Sequence, residues 1–394
     1  MITMNKWKNA ALPAILLLGS AGMVYSWSLL VKPIAEYINR SQTEVQFAFS
    51  LAIFFLGMSA AFGGSIVERN VHKSSFLGAV LFCSGLTVTA VAMEFKSLTL
   101  LYIGFGVILG TGTGISYLSP VKTLMLWFKD NKGLATGISV CAFGFASTIA
   151  SPIITYLTSR YSLQRTFVTL SCIYFIPMIA AHLLLKKPEG WVEPQTKSNF
   201  DYKGFLTDKR FIAIWIFFFL NITCGLALIP IASPMLTELN FKSVHIALVV
   251  SIMGVFNGAG RLAFAAMSDK LRKRITMYYV VFVLSTVTVI MALAVHSLSP
   301  FMLIIISSCY GAGFALLPSL VSDIWGMKNI SKQHGTILSA WSIAGLCGNQ
   351  LSMFIQKHTG SYLSVLYVLA VLYMIAFCFS LYIGRRTNND STRT

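Results

Sequence analysis

Gly64-Ser-Ile-Val-Glu-Arg-Asn-Val-His-Lys73 and Ala265-Ala-Met-Ser-Asp-Lys-Leu-Arg-Lys-Arg274 stand 201 residues apart, and each ends an apolar run with an acid, a base and further cations. The same offset relates Gly110-Thr-Gly112 to Gly311-Ala-Gly313, Gly144 to Gly345, and Pro33 to Pro234. Separate matches at one spacing mark an internal duplication. The chain is therefore read as two copies of one structural plan.

What that plan is follows from composition. The chain has 394 residues, 56% of them hydrophobic and 11% charged. Its apolar residues fall into runs of about 20, the length a helix needs to cross hydrocarbon. Twelve spans are predicted: Asn9 to Leu30, Val45 to Val67, Ser75 to Met93, Leu98 to Lys122, Gly133 to Leu157, Thr166 to Leu185, Phe211 to Leu236, Val244 to Met267, Thr276 to His296, Pro300 to Ile324, His334 to Ile355 and Tyr362 to Gly384. The expected fold is an all-α membrane protein, twelve transmembrane helices in two pseudo-symmetric six-helix bundles. The bundles are assigned to residues 1–185 and 211–394, joined by a polar linker over 186–210. Two six-helix halves of equal topology are the plan of the major facilitator transporters, whose halves rock about a midplane site. The two quoted loops resemble that superfamily's acidic-basic loop motif, with Val71 and Arg272 where glycine is usual and Glu68 in place of Asp. The resemblance implies a gating role for Glu68, Arg69, Asp269 and Lys270, with Asp323 at the inner end of span ten. Ordinary membrane anchoring by these cations is the alternative.

A net charge of +17 would suggest nucleic acid in a soluble protein, but here its distribution decides. Alternate loops and the two ends hold 21 lysines and arginines, against seven in the opposite loops: Lys32, Arg40, Lys96, Arg160, Arg165, Lys242 and Lys357. That bias predicts both termini in the cytoplasm and needs no nucleic-acid partner. The seven cysteines fall within spans and lack metal-type spacing, so neither a metal site, a cofactor nor a disulfide framework is expected. The first apolar run has no small-residue cleavage pattern after it and is read as an uncleaved first helix.

Two cations remain inside spans, Arg261 and Lys122. A guanidinium at mid-helix costs roughly 2.5 to 3.5 kcal/mol on insertion scales, so it calls for a partner or a task. A negatively charged solute is the simplest partner, because guanidinium offers a carboxylate two parallel N–H groups. Asn257 lies one turn earlier and shares the face of Arg261, so it can orient the guanidinium or add a hydrogen bond. The competing reading has Arg261 snorkelling to the headgroups. Lys122 likewise reads as a snorkelling lysine or as a second cation for a dianion. Tyr25, Trp27, Tyr117, Tyr310 and Trp341 are candidate walls of a binding cavity, or packing residues.

Several segments resemble the oxalate/formate antiporter family. They are Tyr25-Ser-Trp-Ser28, Gly110-Thr-Gly-Thr-Gly-Ile-Ser-Tyr-Leu-Ser-Pro-Val121, Trp127-Phe128 with Lys132-Gly-Leu-Ala-Thr-Gly137, Pro188-Glu-Gly-Trp191, Phe219-Leu-Asn-Ile-Thr-Cys-Gly-Leu-Ala227 and Phe256-Asn-Gly-Ala-Gly-Arg261. The resemblance implies transport of small carboxylates with the span-eight arginine as the anion's main ligand. It also favours Tyr25, Tyr117 and Trp341 among the aromatics. In oxalate-handling members a lysine of span eleven meets the second carboxylate, and here Trp341 occupies that place in Leu338-Ser-Ala-Trp-Ser-Ile-Ala-Gly345. The resemblance further implies the cell inner membrane.

No acidic residue is predicted at mid-span: Asp323 ends span ten, and Glu36, Glu44, Glu94 and Glu238 belong to the outer side. A single fixed positive charge makes an empty site costly to reorient, which favours anion exchange. The expectation is a secondary transporter of small organic carboxylate anions working by alternating access. Proton-coupled monocarboxylate symport and efflux of larger compounds are the alternatives within transport. A receptor without translocation would not need a duplicated bundle, and the spans hold no nucleophile-base pair for an enzyme.

Overall fold

The computed structural model describes residues 5–189, 200–271 and 273–391. The Gly190-Trp191 end of the loop motif, much of the predicted linker and Arg272 lie outside them. Twelve long helices follow one another: α1 over residues 7–38, α2 Gln42–Arg69, α3 Val71–Glu94, α4 Leu98–Trp127, α5 Lys132–Arg160, α6 Leu163–Leu184, α7 over residues 209–238, α8 Ser243–Ser268, α9 Ile275–Ala294, α10 Ser299–Trp325, α11 Ile330–Thr359 and α12 Leu363–Ser391. A short helix, Tyr202–Thr207, occupies part of the predicted linker.

Length and capping explain the helices. The 28 residues of α2 make about 42 Å of helix, enough for the hydrocarbon and both headgroup layers. Its start is set by Ser41, whose side chain accepts the Glu44 N–H while Glu44 accepts back from Ser41. Asn70 ends α2 in extended backbone and caps α3 by accepting from the Lys73 N–H. Among the described residues, eleven helices are long and apolar enough to cross a bilayer. The twelfth, α11, is 30 residues long but buries Lys332, Gln333, His334, Thr336 and Ser342 in its first half.

The duplication recurs in the helix breaks. A 3-10 turn, Gly22–Ser26, interrupts α1, and residues 229–231 interrupt α7. Pro33 and Pro234, matched in sequence, each lie in the short segment beyond the break, Ser28–Ile38 and Ala232–Glu238. Broken helices of this kind occur in transporters at corresponding places of repeated halves.

By packing, the chain divides into two compact units. The first holds residues 1–129, 138–198 and 327–342; the second holds 130–137, 199–326 and 343–394. This departs from the linear division in two stretches, because the start of α5 packs in the second unit and the start of α11 in the first. Within the first unit, α4 presses its glycine seam on its neighbours: Gly110 on Ala52 and Gly114 on Leu56 of α2, Gly112 on Phe82 of α3. Small residues let backbones approach this closely. In the second unit a Cβ at Gly254 of α8 would meet open space, and α8 approaches Ser308 of α10 at Gly260.

Candidate functional site

Within the second unit, Arg261 is fully buried, at 0% exposure. That rules out both snorkelling and a lipid-facing side chain in this structure. The i to i+4 spacing on α8 lets Arg261 Nε donate to Asn257 Oδ1 at 3.1 Å. The guanidinium carbon lies 5.2 Å from the centre of the Phe314 ring, close enough for a cation–π attraction of about 0.5 to 2 kcal/mol. Gly311 of α10 makes room for this arrangement, since a Cβ there would stand 2.8 Å from Asn257 Oδ1 and 2.9 Å from Arg261 Cγ. Tyr310 is buried against Gly225 of α7 and meets Phe314 edge-on at 5.3 Å. Arg261, Asn257, Phe314 and Tyr310 are thus contiguous. Phe314 was missed from sequence, although it lies one turn beyond Tyr310. Asn221, inside the quoted segment of α7, is also buried; its amide fills the notch left by Gly313, and neither amide atom has a hydrogen-bond partner among the described residues.

In the first unit the three favoured aromatics converge on Phe143 of α5. Tyr25 meets that ring at 5.3 Å, Tyr117 at 5.9 Å and Trp341 at 6.0 Å, and Tyr117 lies 6.0 Å from Trp341. These edge-on distances are those aromatic rings prefer. His334, about two turns before Trp341 on α11, lies 6.0 Å from Tyr117 and is buried, its Nε2 without a hydrogen-bond partner among the described residues. Neither Phe143 nor His334 stood out in the sequence. Trp27 is not part of this cluster, because it stacks on Phe105 at 3.9 Å.

The gating candidates form two related constructions. In the second unit, Asp269 accepts the N–H groups of Gly133 and Leu134 at 2.8 Å each. Those are first-turn donors of α5, which have no partner within the helix and carry the positive end of its dipole. Arg274 donates to Asp269 at 2.6 Å and to Asp323 at 2.6 Å, and Lys132 stands 3.8 Å from Asp323. In the first unit, Glu68 accepts the Ser331 N–H at the start of α11 at 2.7 Å and pairs with Lys122 at 2.7 Å. Lys122 and Asp323 are themselves 201 residues apart. One position of the duplicated plan thus holds opposite charges: the lysine meets its carboxylate directly, while the aspartate needs Arg274 between it and Asp269.

Two expectations are corrected here. Lys122 does not snorkel; it is buried in an ion pair within the protein, and that pair satisfies its charge without a solute. Arg69 and Lys270 are exposed and enter no ion pair among the described residues; Lys122 and Arg274 hold the acids instead. Nearby in the linker, Lys187 is pushed down to about 8 by burial and by the charge of Lys122, with Glu68 opposing. Lys122→Ala is expected to cost about 3 to 5 kcal/mol, because it strands a buried carboxylate. The paired change Glu68→Gln with Lys122→Met should recover most of that loss in a thermal-unfolding assay. If Lys122→Ala instead leaves stability intact and alters substrate choice, the ion pair is not its main role.

The geometry can be set beside known proteins. A family model described as Major Facilitator Superfamily matches residues 13–349. The oxalate:formate antiporter of Oxalobacter formigenes is 26% identical over 388 residues, covering 96% of this chain and 91% of its own. Monocarboxylate transporter 11 of Mus musculus is 24% identical and covers 87% of this chain and 79% of its own. Among solved structures, the E. coli fucose:proton symporter FucP matches with a TM-score of 0.69 at 14% identity, covering 95% of this chain and 99% of that one. At that identity the likeness is one of fold. Duplicated halves, paired helix breaks and a family match running from the first helix into the eleventh lead to one assignment: the chain belongs to the Major Facilitator Superfamily of membrane transporters.

Proposed function

We propose that this transporter moves small organic carboxylates by alternating access, in exchange for one another, and that Arg261 is the carboxylate's ligand. The observation that carries this reading is the fully buried guanidinium, held at Nε by Asn257 so that its planar fork has one fixed direction. The names of the relatives, an oxalate:formate antiporter and a monocarboxylate transporter, support the substrate class. Phe314 borders the guanidinium, with Tyr310 packed on Phe314, and these apolar surroundings make a charge-assisted hydrogen bond stronger than in water. Within the first unit, Tyr25, Tyr117 and Trp341 form a separate aromatic cluster on Phe143, whose phenol and indole groups are of the kind that hydrogen-bond a carboxylate.

Glu68 and Asp269, with Lys122, Arg274 and Asp323, are the proposed gate. Each carboxylate caps the first turn of a helix from the other half of the sequence, a contact that can be broken and remade as a unit. From the distribution of lysine and arginine along the sequence, both termini are assigned to the cytoplasmic face of the cell inner membrane. The halves of the transport machinery are residues 1–185 and 211–394, with residues 186–210 linking them.

Exchange follows from charge. An occupied site is near neutral, whereas an empty one carries a bare cation through the membrane interior. Proteoliposomes loaded with formate, lactate or oxalate should take up labelled carboxylate at least about tenfold faster than unloaded vesicles. Equal rates would sink obligatory exchange. Proton-coupled symport of a monocarboxylate is the second reading, and His334, buried beside Tyr117, is the titratable side chain through which it would act. Under that reading His334→Gln loses the acceleration of uptake by an inward proton gradient.

A further inference from the structure

At the basic end of the second unit, α7 and α12 leave a groove of about 360 Å³ between them. Its walls are Ile212, Ala213, Cys378, Phe379 and the ring of Tyr382, and Lys209 stands at its mouth. Ile212 and Cys378 are exposed, so the groove opens outward from the helix pair, where a membrane protein meets acyl chains. Apolar walls at membrane depth need no further explanation. The cations around the mouth do.

Lys209 begins α7, and Arg386 near the end of the membrane portion of α12 places its guanidinium 5.4 Å over the Tyr382 ring that lines the groove. Arg385 is exposed beside it. Among the acids whose side chains are described, Asp208 lies nearest in sequence, next to Lys209, but it is already committed. Its carboxylate accepts from Arg210 Nη2 at 2.9 Å, from the Arg210 backbone N–H at 2.8 Å and from Trp325 Nε1 at 3.2 Å. Burial disfavours its charge, yet these bonds from Arg210 and Trp325 outweigh that and hold its carboxyl below the usual range. The positive mouth is therefore left for an outside anion to neutralise.

A small carboxylate does not match this shape, since the lining beneath the cations is apolar. A phospholipid matches both parts. We propose that the groove binds one anionic glycerophospholipid, with an acyl chain lying between α7 and α12 and the phosphate lodged between Lys209 and Arg386. Basic pockets between transmembrane helices recognise anionic headgroups by the same chemistry. This inference does not depend on which solute the protein carries.

Cys378 supplies a direct test, because a lipid in the groove covers its thiol. Full-length protein in a nonionic detergent would be treated with N-ethylmaleimide, and modification of the Cys378 peptide followed by mass spectrometry. Phosphatidylglycerol should slow that modification at least about tenfold, while phosphatidylcholine of the same chains should not. Cys172, exposed on α6, serves as the internal control and should react equally in both. Each cation near a membrane surface contributes about a fivefold gain in affinity, so Lys209→Ala with Arg386→Ala should raise the required phosphatidylglycerol about 25-fold. Salt at 0.5 M should weaken protection as well. Equal protection by phosphatidylcholine, no protection by either lipid, or protection unaffected by the double substitution would each overturn the proposal. Protection that grows with protein concentration in the absence of lipid would also overturn it, in favour of a second copy of the chain.

Discussion

Arg261→Gln should reduce carboxylate uptake in proteoliposomes about 100-fold or more while leaving the protein folded. The two consequences separate because they rest on different energies. Gln removes a charge whose insertion costs roughly 2.5 to 3.5 kcal/mol, which favours the folded variant. Against that stands the loss of the Nε bond to Asn257, worth about 1.5 to 3 kcal/mol for a charged donor, and of the contact with Phe314. Stability is therefore expected to change little. Transport has no such compensation, because a carboxylate brought into the protein without its cation bears the full cost of desolvation. Arg261→Lys keeps the charge but loses the planar fork, and its shorter reach cannot serve Asn257 and a carboxylate together. It should retain only a few per cent of uptake. Size-exclusion profile and thermal unfolding check the fold, and labelled uptake checks the function. Normal uptake in either variant removes Arg261 from the site, whereas collapse of folding in both makes it a structural residue.

Much of the architecture was legible because apolar runs of membrane length have few alternative readings. All twelve predicted spans lie within or overlap long helices, the polar α11 among them. The duplication was legible for a related reason: Pro33 and Pro234 occupy matching segments beyond matching breaks. Side-chain partners were much harder to read. Lys122 and Glu68 are 54 positions apart on different helices, and nothing local links them. Arg69 and Lys270 follow the acids directly in sequence, yet both are exposed while the acids pair with Lys122 and Arg274. Phe143 and Phe314 were invisible because an aromatic in an apolar helix carries no periodic signal of which face is functional. Gly254 and Gly260 both lie in α8, but of the two Gly260 is the one met by a neighbouring backbone. Periodicity identifies a face when the opposite face is polar, and inside a bilayer that contrast is absent.

Asp269→Asn should unfasten the start of α5, and the effect should be readable at two amides. Gly133 and Leu134 are the second and third residues of that helix, so neither N–H has a carbonyl four residues back inside the helix. Asp269 supplies the acceptor for both. Asparagine keeps one acceptor oxygen and turns the other into a donor, which opposes the backbone N–H it faces. One charge-assisted bond is lost and Arg274 keeps Asp323 as its carboxylate partner, a deficit of about 1.5 to 3 kcal/mol. At about 1.4 kcal/mol per factor of ten, hydrogen exchange over residues 130–137 should accelerate roughly 10- to 100-fold. Asp323→Asn should do less, since that side chain is 40% exposed and its pairs are screened by water. Gly133→Val should do more than either, because a Cβ there drives into the Ala265 carbonyl oxygen and no side-chain movement relieves it. If these contacts form the gate, all three variants slow transport in that order while carboxylates still protect the protein thermally through Arg261. Unchanged exchange at residues 130–137 in Asp269→Asn would remove the cap from the mechanism. Equal loss of ligand protection and of transport would place Asp269 in binding instead, since a gate moves the balance between conformations and leaves the affinity of each one as it was.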